Sequence, residues 1–295
     1  MTPVVAVIAP GMMGAGVGKR LVDNGVKVLT SLRGRSQDTL ARAKAAGMAD
    51  ASDKEIAAAD FILSILPPGD ALWLAQYFAP ALTASNAKAV YVDCNAINPA
   101  TVERVAAAIA PTGCPFVDAG IIGSPPISLP VPLPAGDAKT KGSPRLYASG
   151  PAAPRVATLR EYGLDVRVLD GALSAASALK MSYAGITKGT QAIGAAMMLA
   201  ASRAGSADAL FAELQSSQKE MLGWFKRALS SMPPKAYRWV AEMHEIAGFV
   251  GDDPTAHELY EGAAHFYERI AEDFEGGKKD VSALGAFLSK DASGG

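Results

Sequence analysis

Cysteine is scarce in this chain, with only Cys94 and Cys114 among 295 residues. That excludes a disulfide framework and a cysteine-rich zinc site, and the expected setting is a reduced, cytoplasmic one. Charge is also thin, at 19% of residues, where an average soluble chain has roughly 25%. It is balanced as well: 28 Lys+Arg against 29 Asp+Glu give a formal net charge of −1. Such a chain has no electrostatic footprint for nucleic acid or an anionic membrane. The histidines, His244, His257 and His265, are not spaced as metal ligands, so no metal is expected. No basic region precedes the first apolar run, so no secretory leader is expected. The uncharged stretch Ala119 to Gly136 carries Pro125, Pro126, Pro130, Pro132 and Pro134, a density that excludes a membrane helix there.

What is abundant is apolar residue, 49% of the chain, with a mean hydropathy of +0.16. Disorder is excluded, and many helices must be buried on more than one side, in a large core or at a subunit contact. The length fits two domains at ~100–200 residues each.

The spacing predicts strands over Val4 to Ile8, Val26 to Thr30, Phe61 to Leu66, Ala89 to Val92, Phe116 to Ala119 and Val166 to Leu169, with Arg145 to Ala148 a weaker strand signal. Between them lie helices with legible starts. Ser36 is a cap, Ser52-Asp53-Lys54-Glu55 a capping box, and Asn98-Pro99 a cap with proline in the first turn. After Gly171 the β-like runs cease and helical periodicity dominates, beginning with one long helix over Ala172 to Arg203. The expected fold is therefore an α/β Rossmann-type domain with a mostly parallel sheet over 1–170. An all-α domain over 171–295 follows, for substrate and dimerisation.

Between the first strand and first helix stands Ala9-Pro10-Gly11-Met12-Met13-Gly14, the place of the G-x-G-x-x-G turn that cradles a pyrophosphate at a helix N-terminus. Ala9 replaces the first glycine, so a plain strand–turn–helix also fits. The end of the second strand adds information. Dinucleotide enzymes using NAD carry an acid there for the ribose 2′-hydroxyl. Here the segment is Thr30-Ser31-Leu32-Arg33-Gly34-Arg35-Ser36, which has no acid. Ser31, Arg33 and Arg35 are suited to a 2′-phosphate, so NADP(H) is the expected cofactor.

Lys180 is the only charged residue between Gly171 and Thr187. Tyr183, Thr187 and Gln191 follow it at successive helical turns. An amine among Ala, Leu and Met loses its proton more readily, which suits proton transfer near neutral pH. Taken by itself, the pattern favours a lysine snorkelling to the surface.

Lys180-Met181-x-x-x-Gly185-Ile186-x-x-Gly189 resembles the catalytic helix of 6-phosphogluconate dehydrogenase and the related β-hydroxyacid dehydrogenases. So do the Gly11/Gly14 turn, Leu66-Pro67-Pro68, Asp93-Cys94-Asn95 and Asp118-Ala119-Gly120-Ile121-Ile122-Gly123-Ser124, across nearly the whole chain. The resemblance implies that Lys180 is the general acid/base while a nicotinamide exchanges hydride. It implies cofactor contacts at Gly11, Met12, Met13, Gly14, Leu66, Pro67 and Asn95, and substrate contacts at Gly123 and Ser124. Tyr183, Thr187, Arg238 and His244 are further substrate candidates; for Trp239 and Met243, which share their helical spacing, core packing competes.

The departures also inform. Where the family carries Asn after the lysine this chain has Ala184, and Ile122 stands at the serine of the substrate loop. Oxidative decarboxylation of a phosphosugar acid is therefore not expected; a less polar substrate is. Pro125 to Pro134 reads as a flap beside the cleft or as a surface elaboration. The activity expected is interconversion of an alcohol and a carbonyl in a small molecule, by a homodimer built through its helical domain. Imine reduction and a non-catalytic NADP-binding regulator are the alternatives.

Overall fold

The computed structural model describes residues 2–126 and 142–290. The remainder of the proline-rich segment, beyond Pro126, lies outside the described residues. The chain divides into two compact units, Met1–Met181 and Ser182–Gly295.

The first unit is built on an eight-stranded sheet. In chain order its strands are β1 (Val4–Ile8), β2 (Lys27–Thr30), β3 (Ala49–Asp50), β4 (Phe61–Ser64), β5 (Val90–Asp93), β6 (Phe116–Ile122), β7 (Arg145–Ser149) and β8 (Asp165–Val168). The spatial order is β3-β2-β1-β4-β5-β6-β7-β8. Every neighbouring pair is parallel except β6 with β7. Alternation along β1 feeds two cores: Val5 and Val7 pack on one face, Ala6 and Ile8 on the other. A strand covered on both faces must be apolar at every position, which is why β1 reads as an unbroken run.

The crossovers are α1 (Met12–Asp23), α2 (Gln37–Ala45), α3 (Asp53–Ala57), α4 (Ala71–Ala84), α5 (Pro99–Ile109) and α6 (Ala153–Ala157). Their starts follow the expected caps. Ser36 accepts from the Thr39 amide, Asn98 from the Thr101 amide, and Ser52 with Glu55 closes the capping box. The sequence pattern did not reveal β3, because two residues, Ala and Asp, carry no β signature. Strand β6 runs on through Gly120 to Ile122, further than expected, because Gly120-Ile121-Ile122 continues the buried apolar run.

Helix α7 (Ala175–Arg203) begins in the first unit and continues into the second. The change of composition near residue 170 thus precedes the division of contacts, which falls inside α7. The second unit adds α8 (Ala207–Ser217), α9 (Lys219–Ser230), α10 (Ala236–Phe249), α11 (Pro254–Glu275) and α12 (Lys279–Leu288). The glycines of α7 have a packing reason. A Cβ at Gly194 would lie 2.3 Å from the Phe225 ring, and one at Gly185 would lie 2.9 Å from the Tyr260 hydroxyl. Aromatic knobs from α9 and α11 occupy the space that missing side chains leave. Among the described residues, no helix is long and apolar enough to cross a membrane.

Candidate functional site

The strand order reverses between β1 and β4. In open α/β sheets, ligands bind at such a switch point, beyond the carboxyl ends of the strands. The turn after β1 is shaped accordingly. A Cβ at Gly14 would stand 2.0 Å from the Ala9 carbonyl oxygen, so only glycine lets α1 start so close to the strand end. Gly11 differs: its φ is −66° and a Cβ there would meet nothing within 4 Å, so its bareness serves the open side of the turn. No side chain caps α1 and no acid stands in its first turn. The first amides of a helix have no intrahelical partner, and a negative group is favoured beside them. Met12 is exposed beside them.

Beyond β2 and β4 lies a cavity of about 490 Å³ lined by Arg33, Gly34, Arg35, Leu66, Asp70 and Trp73. Gly34, at φ +69°, turns the loop that presents both arginines. Ser31 is half-buried at its base. Thr30 at the end of β2 is buried and donates to the Val7 carbonyl at 2.8 Å. Asp50 accepts the Leu32 amide at 2.9 Å. The sequence reading did not find Asp70 and Trp73, which α4 and the turn before it bring to the arginines.

Asn95 is 2% exposed and fully engaged. Its Oδ1 accepts the Leu66 amide at 2.5 Å, and its Nδ2 donates to Ser64 Oγ at 2.9 Å and Asp93 Oδ2 at 3.0 Å. Its side chain therefore fixes the Leu66–Pro67 loop on the floor of the crevice. The bare face at Gly11, the uncapped α1 and the cavity beyond β2 and β4 fit a dinucleotide.

On β6, two strands beyond β4, Lys180 Nζ donates to the Ile121 carbonyl at 2.9 Å and the side chain is half-buried. Because β1, β4, β5 and β6 run parallel, Ile121 lies at the same carboxyl edge as the Gly11 turn. A Cβ at Gly120 would stand 2.9 Å from the Ala176 carbonyl and 3.0 Å from Lys180 Cβ, so α7 lies directly on the β6 backbone. Buried Asp118 accepts Ser177 Oγ at 2.6 Å and the Ser177 amide at 2.8 Å. Burial pushes its carboxyl up to about 6 despite the opposing bonds from Ser177 and Ser149. Gly123, at φ +130°, and exposed Ser124 form the turn after β6. Ile122 is buried. Cys94 is enclosed, and burial together with the Asp93 and Asp118 charges pushes its thiol well up, away from nucleophilic use.

The candidates on the second unit are placed differently. Tyr183 is exposed, and the Thr187 hydroxyl donates to the Tyr183 carbonyl of its own helix at 2.8 Å. The Arg238 guanidinium lies 5.6 Å from the Tyr237 ring centre. His244 Nδ1 is 3.0 Å from either oxygen of Glu261. Trp239 and Met243 are packing residues. Trp239 meets Tyr267 edge-on at 5.1 Å and carries Lys188 over its ring, while Met243 is fully buried. Lys188 also pairs with Glu242, and the Tyr267 hydroxyl donates to the Lys188 carbonyl at 2.6 Å. Among the described residues, no group of His, Cys, Asp or Glu could hold a metal ion.

Residues 4–139 match the family described as the NAD binding domain of 6-phosphogluconate dehydrogenase. Residues 201–270 match a domain of unknown function, DUF1932. The chain is 27% identical over 228 residues to an uncharacterized 28.5 kDa protein in the 7S RNA 5′ region of Methanothermus fervidus, covering 76% of this chain and 82% of that one. Among solved structures it is similar to conserved protein MTH1747, described as resembling 3-hydroxyacid dehydrogenases. The identity is 28%, coverage 92% of this chain and 97% of that one, and the TM-score 0.66. It shares its fold with Mycobacterium tuberculosis 3-hydroxyisobutyrate dehydrogenase, at 20% identity, 98% and 100% coverage and TM-score 0.65. It also shares it with the imine reductase of Myxococcus stipitatus in complex with NADP+, at 16% identity, 97% and 100% coverage and TM-score 0.55.

Proposed function

With an NAD-binding domain of the 6-phosphogluconate dehydrogenase family over residues 4–139, we propose that this chain is an NADP-dependent oxidoreductase that interconverts an alcohol and a carbonyl in a small, hydroxyacid-like substrate. The observation that carries this reading is Lys180. It is held by Ile121 at the carboxyl edge of β6, on the same edge of the sheet as the Gly11–Gly14 turn.

A bound nicotinamide would supply or accept the hydride. The residues of the chain do the rest. The first turn of α1, with Gly11, Met12, Met13 and Gly14, would hold the pyrophosphate. Leu66 and Pro67, fixed by Asn95, form the wall beside it. Ser31, Arg33 and Arg35 would hold the 2′-phosphate, and charge-assisted bonds there would favour NADP over NAD. Gly123 and Ser124 border the substrate. Lys180 gives a proton to the carbonyl oxygen as the alcohol forms and takes it back in the reverse direction. Tyr183 and Thr187 extend the substrate contacts along α7, with Arg238 and His244 on α10 as further candidates.

Exposed apolar side chains on the second unit support a homodimer. Tyr183, Ile186, Ile193 and Met197 line one stripe of α7, at 46%, 70%, 53% and 58% exposure, and Leu259 of α11 is 53% exposed. A stripe of this kind is a reason for a helix to be covered by a second chain.

The test is NADPH oxidation against ketoacids, aldehydes and cyclic imines, with wild type, Lys180→Ala and the double variant Arg33→Ala/Arg35→Ala. Loss of the lysine is expected to lower kcat by about 10²–10⁴-fold. Loss of the arginines is expected to raise the KM for NADPH about 10–100-fold more than that for NADH. Turnover of imines surviving in Lys180→Ala would replace this reading with imine reduction. Tight NADPH binding without turnover of any substrate would replace it with a regulator.

A further inference from the structure

Four buried polar residues stand in register across the middle of the sheet: Ser64 on β4, Asp93 on β5, Asp118 on β6 and Ser149 on β7. Each is 0% exposed. A carboxylate placed there is costly unless every lone pair is met, so its retention calls for a role. The bonds of Asp118 show where that role lies. Ser177 donates to it twice, from Oγ at 2.6 Å and from the amide at 2.8 Å, and Ser149 Oγ lies 3.3 Å from it. Ser149 Oγ in turn accepts the Ala176 amide at 2.9 Å and donates to the Leu173 carbonyl at 2.8 Å. Asp93 stands directly opposite Asp118 on the neighbouring strand.

We propose that Asp118, with Ser149 and Ser177, is the positioning group of Lys180: it holds the first turn of α7 on β6 so that the amine stands at the Ile121 carbonyl. Helix α7 has no acid of its own in its first turn, although a negative group is favoured there by the free amides and the helix dipole. A Ser or Asp within the helix start would satisfy those amides as well. A cap supplied from β6 does more, because it ties the helix to the strand whose carbonyl, three residues on, takes the Lys180 amine. The second tie is Gly120, whose missing side chain lets the Ala176 carbonyl and Lys180 Cβ come down on the backbone. Ser177 and Lys180 are one helical turn apart, so a shift of the first turn moves the amine.

This inference rests on the reading of Lys180 as the proton carrier for the size of its catalytic effect, but not for its geometry. The test therefore has two readouts, on wild type, Asp118→Asn, Ser177→Ala, Ser177→Thr and Lys180→Ala. The first is pulse acetylation by acetic anhydride followed by mass spectrometry, with exposed Lys27 as internal reference. Asp118→Asn and Ser177→Ala are expected to raise the Lys180 rate roughly tenfold relative to Lys27, the effect of losing one hydrogen bond to a charged group, and Ser177→Thr to restore it. The second is steady-state kinetics. Asp118→Asn is expected to lower kcat by about 10²-fold, as for a catalytic group displaced by an ångström, with the KM for NADPH within about twofold of wild type.

An unchanged Lys180 acetylation rate in both Asp118→Asn and Ser177→Ala would overturn the proposal. So would a kcat equal to wild type in both while Lys180→Ala is inactive. Should Asp118→Asn fail to fold, Ser177→Ala decides, since it keeps the carboxylate and the backbone bond. Full turnover in Lys180→Ala would remove the catalytic role of the lysine, and the acetylation readout would still decide the positioning claim.

Discussion

The two units solve different problems with their polar residues. In the first, polar groups sit at the carboxyl ends of buried strands and are spent on holding backbone in place. Asn95 fixes the Leu66 loop, Asp118 fixes the start of α7, and Thr30 fixes β2 against β1. In the second, Lys188 and Glu242 pair within the helical packing and His244 and Glu261 pair in the open. Its exposed apolar feature is the stripe on α7. A strand end therefore offers fixed chemistry, whereas a helical bundle offers surface.

The sharpest way to break this contrast is at the two glycines of the cofactor turn. Gly14→Ala places a methyl against the Ala9 carbonyl and is expected to cost several kcal/mol, with a large fall in melting temperature and loss of NADPH binding. Gly11→Ala has open space, so its melting temperature should stay at wild type while its Kd for NADPH rises about tenfold. Equal destabilisation by the two would mean that the turn has no open side for a ligand.

The next effect is on stability against pH. The Asp118 carboxyl is raised from 3.8 to about 6, mainly by burial. Between those values the folded chain keeps a proton that the unfolded chain has shed. The stability this group provides is therefore complete below about pH 4 and is lost as pH rises through 6. The loss is on the order of 3 kcal/mol. Urea unfolding at several pH values should show the gap between wild type and Asp118→Asn narrowing over that window, and a gap constant with pH would contradict it. The smallest effect belongs to the helical unit. His244→Ala removes an exposed pair and should change unfolding free energy by less than about 1 kcal/mol, with kcat near wild type if the histidine only pairs with Glu261. A large fall in kcat would move the histidine into the chemistry.

Much of the first unit was legible in the sequence, because continuous apolar runs, caps and glycine turns are local signals. The runs Phe61 to Ser64, Val90 to Asp93 and Arg145 to Ser149 each end on a polar residue, and β6 carries Asp118 within it. The sequence reading did not single these residues out, because only strand register shows that they align. Lys180 was conspicuous as a single charge in an apolar segment, yet its partner, the Ile121 carbonyl, is a backbone atom that no pattern announces. Trp73 and Asp70 reach the arginine cavity through the placement of α4 and the turn before it, which depends on tertiary contacts. Strand β3 was hidden by its shortness. Gly185 and Gly189 entered the sequence reading only as part of the Lys180 motif, and their packing role with Gly194, as seats for Tyr260 and Phe225, shows only in the fold.

The central claim is that one edge of the sheet carries the cofactor turn, the arginine cavity and the lysine as a working set. A crystal structure of the chain with NADPH bound tests it most directly. The account predicts the pyrophosphate on the first amides of α1, the 2′-phosphate on Arg33 or Arg35, and the nicotinamide facing Lys180 Nζ with room for one substrate carbonyl between them. A 2′-phosphate turned away from both arginines, or a nicotinamide with Lys180 out of reach of its reacting face, would contradict it.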